Sequence, residues 1–326
     1  MDEQMMPLAY GLRSSTLSTT LAALVATAVQ VGCSSGSGSA GAAAKDSGAP
    51  SGDAGADAPS ASGDDGGEDA PFSCAPGCPA STVSNATCVA TVQATLVDPT
   101  GAPVAGQNLL VCGDNLCSLP GLTNSQGSTE FQLCEQMVSP ALKFIAGAGY
   151  VSFATAVTQE NTTFPPITVF PLPSTGEAFP TTSAGTVTSG PVTLAVAAGS
   201  VKFDPSQADD PNIQEFRAAQ VDVTKVPAAL PASLTLAIIW GLAPVNATLT
   251  PPGTLTIPNS ASWPAGSKVD FYMNGCEPVA DAAVPYGTWG SIGTGTVSAD
   301  GTTISTDEGA GNGVPVLGMV GATLHP

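Results

Sequence analysis

Glycine and proline interrupt this chain so often that a long helix has almost nowhere to form. The 326 residues include 37 Gly and 29 Pro, and the stretches between them are short and rich in Val, Thr, Ile and Leu. Glycine and proline are the two poorest residues for a helix interior. Short β-branched runs bounded by turn residues read instead as strands. Charged residues make up only 10% of the chain, too few for the Glu–Lys pairs that support exposed helices. The expected fold class is all-β, with two β-sandwich domains in tandem after a disordered tether.

The tether begins behind an apolar run, Leu17 to Gly32. This run has the length of a signal-peptide core and is too short to span a bilayer comfortably. It meets Cys33, after which Ser34 to Pro71 holds no aromatic and no large aliphatic residue. Such a segment buries too little apolar surface to offset its ordering entropy. As a flexible coil it has a mean reach of roughly 30–37 Å. Gly32-Cys33 with small residues behind it resembles the bacterial lipoprotein box, with Gln30 where that box usually has Leu. The resemblance implies lipidation at Cys33 and a site at the outer membrane or cell surface, with plain secretion as the alternative. The expected layout is 1–32 signal peptide, 33–71 lipid-attachment cysteine and acidic tether, 72–172 first sandwich and 173–326 second sandwich.

The formal net charge is −19, with seven Lys+Arg in the whole chain. Those cations never cluster, and neutralising several phosphates needs several together. A nucleic-acid partner is therefore excluded. The expected partners are a membrane, through the lipid anchor, and a protein or glycan of unknown identity.

Six of the eight cysteines fall close together: Cys74, Cys78, Cys88, Cys112, Cys117 and Cys134. An even cluster in an exported chain reads as three disulfides, which could connect in 15 ways. A four-cysteine zinc site from Cys74-x3-Cys78 and Cys112-x4-Cys117 is the weaker reading, because an oxidising compartment favours bridges. Cys276 stands apart as a free thiol, an interchain partner or a replacement for one of the six.

Catalytic machinery is sparse. The one histidine, His325, is the penultimate residue, which removes Ser-His-Asp and Cys-His chemistry. Ser200 and Lys202 could formally make a dyad, and Asp204, Asp209, Asp210 and Glu215 could formally supply paired carboxylates. A solvated loop is the plainer reading of those acids. The expectation is no enzyme and no cofactor, with Ca²⁺ held by Asp204, Asp209 and Asp210 as the one metal site worth testing. Trp263, Tyr272, Tyr286 and Trp289 lie close in sequence and could form a stacking platform for sugars, although core packing is the plainer reading.

Val92 to Val97 alternates as a strand and leads into Asp98, Gly101, Pro103, Val104 and Gly106, with Thr123, Asn124, Gly127 and Phe131 further on. This pattern resembles the carboxypeptidase regulatory-like family of transthyretin-like β-sandwiches, which implies a non-catalytic spacer or binding module. Gly185-x-Val187, Val192-x-Leu194-x-Val196-x-x-Gly199-Ser200, Pro251 to Pro258 and Trp289 to Gly301 resemble ZU5-like domains, which implies interaction or structural support. Further strands are expected at Gln220 to Thr224 and Leu234 to Trp240, the second of them central. The function expected is a non-enzymatic cell-envelope surface lipoprotein acting as a structural or protein-interaction module. A carbohydrate-binding module using exposed aromatics is the alternative.

Overall fold

Alternation builds the first strand. In Val92-Gln93-Ala94-Thr95-Leu96 the apolar residues are buried, Gln93 is exposed and Thr95 is half-buried, because successive side chains on a strand face opposite ways. The computed structural model describes residues 74, 77–79, 83–146, 149–180, 182–204, 214–277, 284–309 and 311–326. The apolar N-terminal run, Cys33 and the acidic tether lie outside the described residues.

Every regular element named here is a strand. The first eight are β1 (Ala86–Val97), β2 (Asn108–Cys112), β3 (Gly121–Leu122), β4 (Ser128–Val138), β5 (Ala141–Phe144), β6 (Phe153–Ala156), β7 (Asn161–Thr163) and β8 (Ile167–Thr168). They make two four-stranded sheets. One has the order β4-β1-β7, with β8 pairing further along β1, and the other has the order β3-β2-β5-β6. Turn chemistry sets the joints. Asp98 Oδ1 accepts from the Thr100 N–H, the Thr100 hydroxyl and the Ala102 N–H at 2.8, 2.7 and 3.0 Å. Gly127 sits at φ 74°, and a Cβ there would lie 2.3 Å from the Leu96 carbonyl oxygen. Only glycine satisfies both conditions.

The remaining strands are β9 (Glu177–Ala178), β10 (Gly185–Ser189), β11 (Val192–Val196), β12 (Val201–Lys202), β13 (Glu215–Gln220), β14 (Ile238–Ala243), β15 (Thr248–Pro258), β16 (Lys268–Asn274), β17 (Trp289–Val297), β18 (Thr303–Thr306), β19 (Val314–Val316) and β20 (Met319–Leu324). All belong to one large sheet of order β10-β11-β15-β18-β17-β16-β20-β14-β13-β9, in which β12 and β19 also pair with β15. Its two ends approach each other. The Ala218 N–H on β13 donates to Ser189 Oγ on β10 at 2.9 Å, and the Thr188 N–H donates to Glu177 Oε2 at 2.6 Å. The sheet is thus nearly closed and barrel-like, around a core that includes Leu194, Phe216, Ile238, Leu255, Phe271 and Ile304.

The all-β expectation describes this protein, but two sandwiches in tandem do not. The large sheet curls on itself rather than splitting into two facing layers, and curling leaves few open strand edges. One core cluster also crosses residue 173. It joins Val92, Leu96, Phe144 and Phe153 to Val221, Leu236, Ile239, Trp289 and Met319, and Gly66–Pro326 forms one compact unit. Two close approaches show how tightly the halves meet. A Cβ on Gly241 would lie 2.2 Å from Val151 Cγ1. The fully buried side chain of Asn274 accepts from the Ala154 N–H and donates to the Ala154 carbonyl, both at 2.9 Å.

Two strand expectations shift. The strand expected at Gln220–Thr224 lies at Glu215–Gln220 instead, because Asp222 Oδ1 captures the Thr224 N–H and hydroxyl at 2.9 and 2.7 Å and turns the chain. The strand expected to start at Leu234 starts at Ile238. It is indeed interior to the sheet, between β13 and β20.

Candidate functional site

The six clustered cysteines pair as Cys74–Cys134, Cys78–Cys88 and Cys112–Cys117. Two bridges tie the segment ahead of β1 to β4 and to β1 itself. The third closes a small loop after β2. Three disulfides in one unit point to an extracytoplasmic protein, and they leave no thiolates for a zinc site there.

Cys276 is free and buried. Its thiol donates to Asn274 Oδ1 at 3.4 Å, and burial pushes its pKa up to about 12. It packs with Cys112, Ala141, Ala154, Val245 and Tyr286, where the two halves meet. Lys143 is 4% exposed in the same region. Its Nζ lies 3.4 Å from Glu277 Oε2 and 6.0 Å from the centre of the Tyr286 ring. Burial raises the Tyr286 phenol as well. These shifts oppose ionisation of both groups, so the cluster holds a protonated thiol and a neutral phenol rather than an activated nucleophile.

The four aromatics expected to make a sugar platform do not come together as an exposed face. Tyr286 and Trp289 are 5% and 7% exposed. Trp263, Tyr272, Tyr286 and Trp289 pack into three separate clusters, with Tyr272 and Trp289 sharing one. Stacking needs an open ring face, but Trp289 faces inward from β17 and Tyr286 packs into the cluster around Cys276. The premise of exposed aromatics at these positions is corrected on that ground.

The other candidates have ordinary structural duties. Ser200 is 1% exposed and its hydroxyl donates to the Ala197 carbonyl at 2.8 Å, while Lys202 is exposed on β12. Glu215 pairs with Arg217 at 2.7 Å, and the bond from that guanidinium holds the Glu215 carboxyl below its usual range. Asp204 is half-buried, whereas Asp209 and Asp210 lie outside the described residues. Among the described residues no group of His, Cys, Asp and Glu is arranged to hold a metal. His325 Nδ1 lies 2.9 Å from Asp270 Oδ1, at the end of the β16–β20 pair.

A groove that none of those candidates line crosses the outward face of the first sheet. Its volume is about 310 Å³. Register builds it: Gln93 on β1 lies opposite Glu130 on β4 and Thr163 on β7, so three polar side chains form one row across three strands. Thr95 lies opposite Ser128, and their hydroxyls are 2.8 Å apart. Thr163 Oγ1 donates to Gln93 Oε1 at 3.3 Å and Gln132 Nε2 donates to Glu130 Oε1 at 3.2 Å. Among the described residues the side-chain nitrogens of Gln93 and Asn124 and the second Glu130 oxygen carry no intramolecular hydrogen bond. The half-buried Phe164 flanks the row, held there by its own N–H donating to the Gln93 carbonyl at 2.9 Å.

Phe164 also lines a second groove of about 550 Å³, whose walls include Pro165, Pro166, Val226 and Pro227. Lys225 stands there with its Nζ donating to the Pro99 carbonyl at 3.0 Å. Alternation in β1 makes Gln93 and Thr95 legible as outward residues. Phe164 is legible only as an aromatic before two prolines, because its place depends on parallel pairing between residues 70 positions apart.

No protein family matches the sequence, and no curated protein matches it. Among solved structures, a DUF3823 family protein from Bacteroides ovatus ATCC 8483 is 12% identical, with 51% of this chain and 89% of that chain covered and a TM-score of 0.21. A TM-score this low assigns neither family nor function.

Proposed function

We propose that this chain is a cell-envelope surface lipoprotein that acts without catalysis, as a structural or protein-interaction module. The observation that carries the reading is the placement of three disulfides, all within Cys74–Cys134, next to a tether-like tract and a lone cysteine behind an apolar run. Export explains the bridges, and Cys33 lipidation explains the apolar run and the tract together. An acyl chain on the new N-terminus plus a diacyl group would hold the protein firmly, since a single chain binds only marginally. The finer domain identities belong to this proposal. The first half is read as a carboxypeptidase regulatory-like module, supported by its two four-stranded sheets. The second is read as ZU5-like from its sequence pattern.

The test is mass spectrometry of the mature N-terminus after membrane fractionation. The expected product begins at an acylated Cys33 and sediments with membranes. A mature chain that begins elsewhere and is found in the medium overturns the anchor.

A further inference from the structure

We infer that the groove over β4, β1 and β7 binds an uncharged oligosaccharide, with Phe164 as the stacking surface and Gln93, Asn124 and Glu130 as the hydroxyl-binding groups. The inference rests on the reading of this protein as a non-catalytic interaction module, and it names the ligand class.

The lining chemistry selects the ligand. A sugar presents vicinal hydroxyls that donate and accept at once, together with an apolar C–H face on each ring. A side-chain amide matches a pair of hydroxyls because it has one acceptor and two donors, and a carboxylate accepts twice. Gln93 and Asn124 keep their nitrogens free for this, and Glu130 keeps one oxygen. Phe164, which on one side packs against the shared core, lines the groove beside that row. The groove volume of about 310 Å³ lies at the lower end of small-ligand sites. Phe164 lines the second groove as well, which gives a chain of several sugars a second surface beside the first.

Charge removes the competitors. No cation lines the first groove and Glu130 does, within a protein of net charge −19. Phosphorylated ligands and uronic-acid polymers find no counter-ion in that groove, and the one lysine lining the second, Lys225, has its Nζ on the Pro99 carbonyl. A peptide is the other occupant to consider. Extended peptides gain most by adding to a sheet edge through main-chain bonds, with pockets for alternate side chains. This groove lies on a sheet face and offers side-chain hydroxyls and amides with one apolar surface.

Isothermal titration of the full chain tests the inference. The probes are neutral hexasaccharides of β-1,4-glucose, α-1,4-glucose, xylose, mannose and N-acetylglucosamine, set against hexagalacturonate and a Ser/Thr/Pro-rich hexapeptide. At least one neutral hexasaccharide is expected to bind. Phe164→Leu keeps an apolar side chain and removes the ring, and it is expected to weaken binding about tenfold while the protein stays folded at the assay temperature; Gln93→Ala is expected to cost about threefold. Trp263→Phe, remote from the groove, is expected to bind as the parent does. Three results overturn the inference: no neutral sugar bound at about 10 mM, affinity unchanged in both groove variants, or the peptide or galacturonate bound in place of the neutral sugars. Such a result leaves the envelope-protein reading standing, because that reading is decided separately by the mature N-terminus.

Discussion

Cys276 shows what burial does to one group. Its thiol is shielded at the meeting of the two halves and its pKa is pushed up to about 12, so almost no thiolate exists near neutrality. In a Cys33→Ser chain, a thiol reagent at pH 8 is expected to modify no cysteine in the folded protein. Unfolding in denaturant without reductant should release one. Gly241 makes the complementary point about space. With Val151 where a Cβ would go, Gly241→Ala should cost about 1–3 kcal/mol, read as a lower denaturant midpoint at unchanged slope. At this scale the sequence reveals the outward residues of β1, since Gln93 and Thr95 follow from alternation alone. It misleads on Trp263, Tyr272, Tyr286 and Trp289, because nearness in sequence says nothing about which core each ring packs into.

At the scale of elements, the bridges and turns do most of the organising. Cys74–Cys134 spans 60 residues and Cys112–Cys117 spans five. Loop-closure entropy makes the long bridge worth about 4 kcal/mol and the short one about 2 kcal/mol. Replacing both members of each pair by Ala should reproduce that order in chemical denaturation, with the Cys74/Cys134 variant the less stable. Strands with β-branched alternation and flanking turns, such as β10 and β11, are legible from residues alone. β20 is harder to see, because Met319-Val320-Gly321-Ala322 has weak strand propensity. It becomes a central strand through neighbours on both sides, β16 and β14. The Gln220–Thr224 pattern alternates as a strand should, yet Asp222 folds it into a turn. Local side-chain capture of the backbone prevails there over hydrophobic period.

At the scale of the whole molecule, the shared core makes cooperativity a prediction. Leu96, Phe144 and Phe153 pack in one cluster with Ile239 and Met319, and each fully buried side chain of this size contributes about 1.5–3 kcal/mol. Exposed pairs such as Lys268–Asp307 contribute less than about 1 kcal/mol. Calorimetry of residues 66–326 should therefore show one transition, whereas two independent sandwiches would show two. Acid should weaken the fold in a defined window. The Ser298 hydroxyl and the Thr302 donors hold the Asp300 carboxyl down to about 2. The Thr100 hydroxyl and neighbouring N–H groups lower Asp98, and the Thr224 N–H and hydroxyl lower Asp222. A lowered folded-state pKa stabilises above the unfolded value and is lost as pH falls through the folded one. Melting temperature should hold above about pH 4 and fall between about 4 and 2, with a shallower fall in Asp300→Asn.

Asn274 has a consequence for any attempt to take the protein apart. β6 is the last strand of its sheet, and the Ala154 N–H and carbonyl that meet the Asn274 amide are the ones turned away from β5. A single side chain thus occupies the place where another strand would add. If the first half is produced alone, or if Asn274 is replaced by Leu, that row of main-chain donors and acceptors becomes an open template. The fragment should then self-associate through strand addition, visible as concentration-dependent sedimentation. The amide that joins the halves also covers that edge.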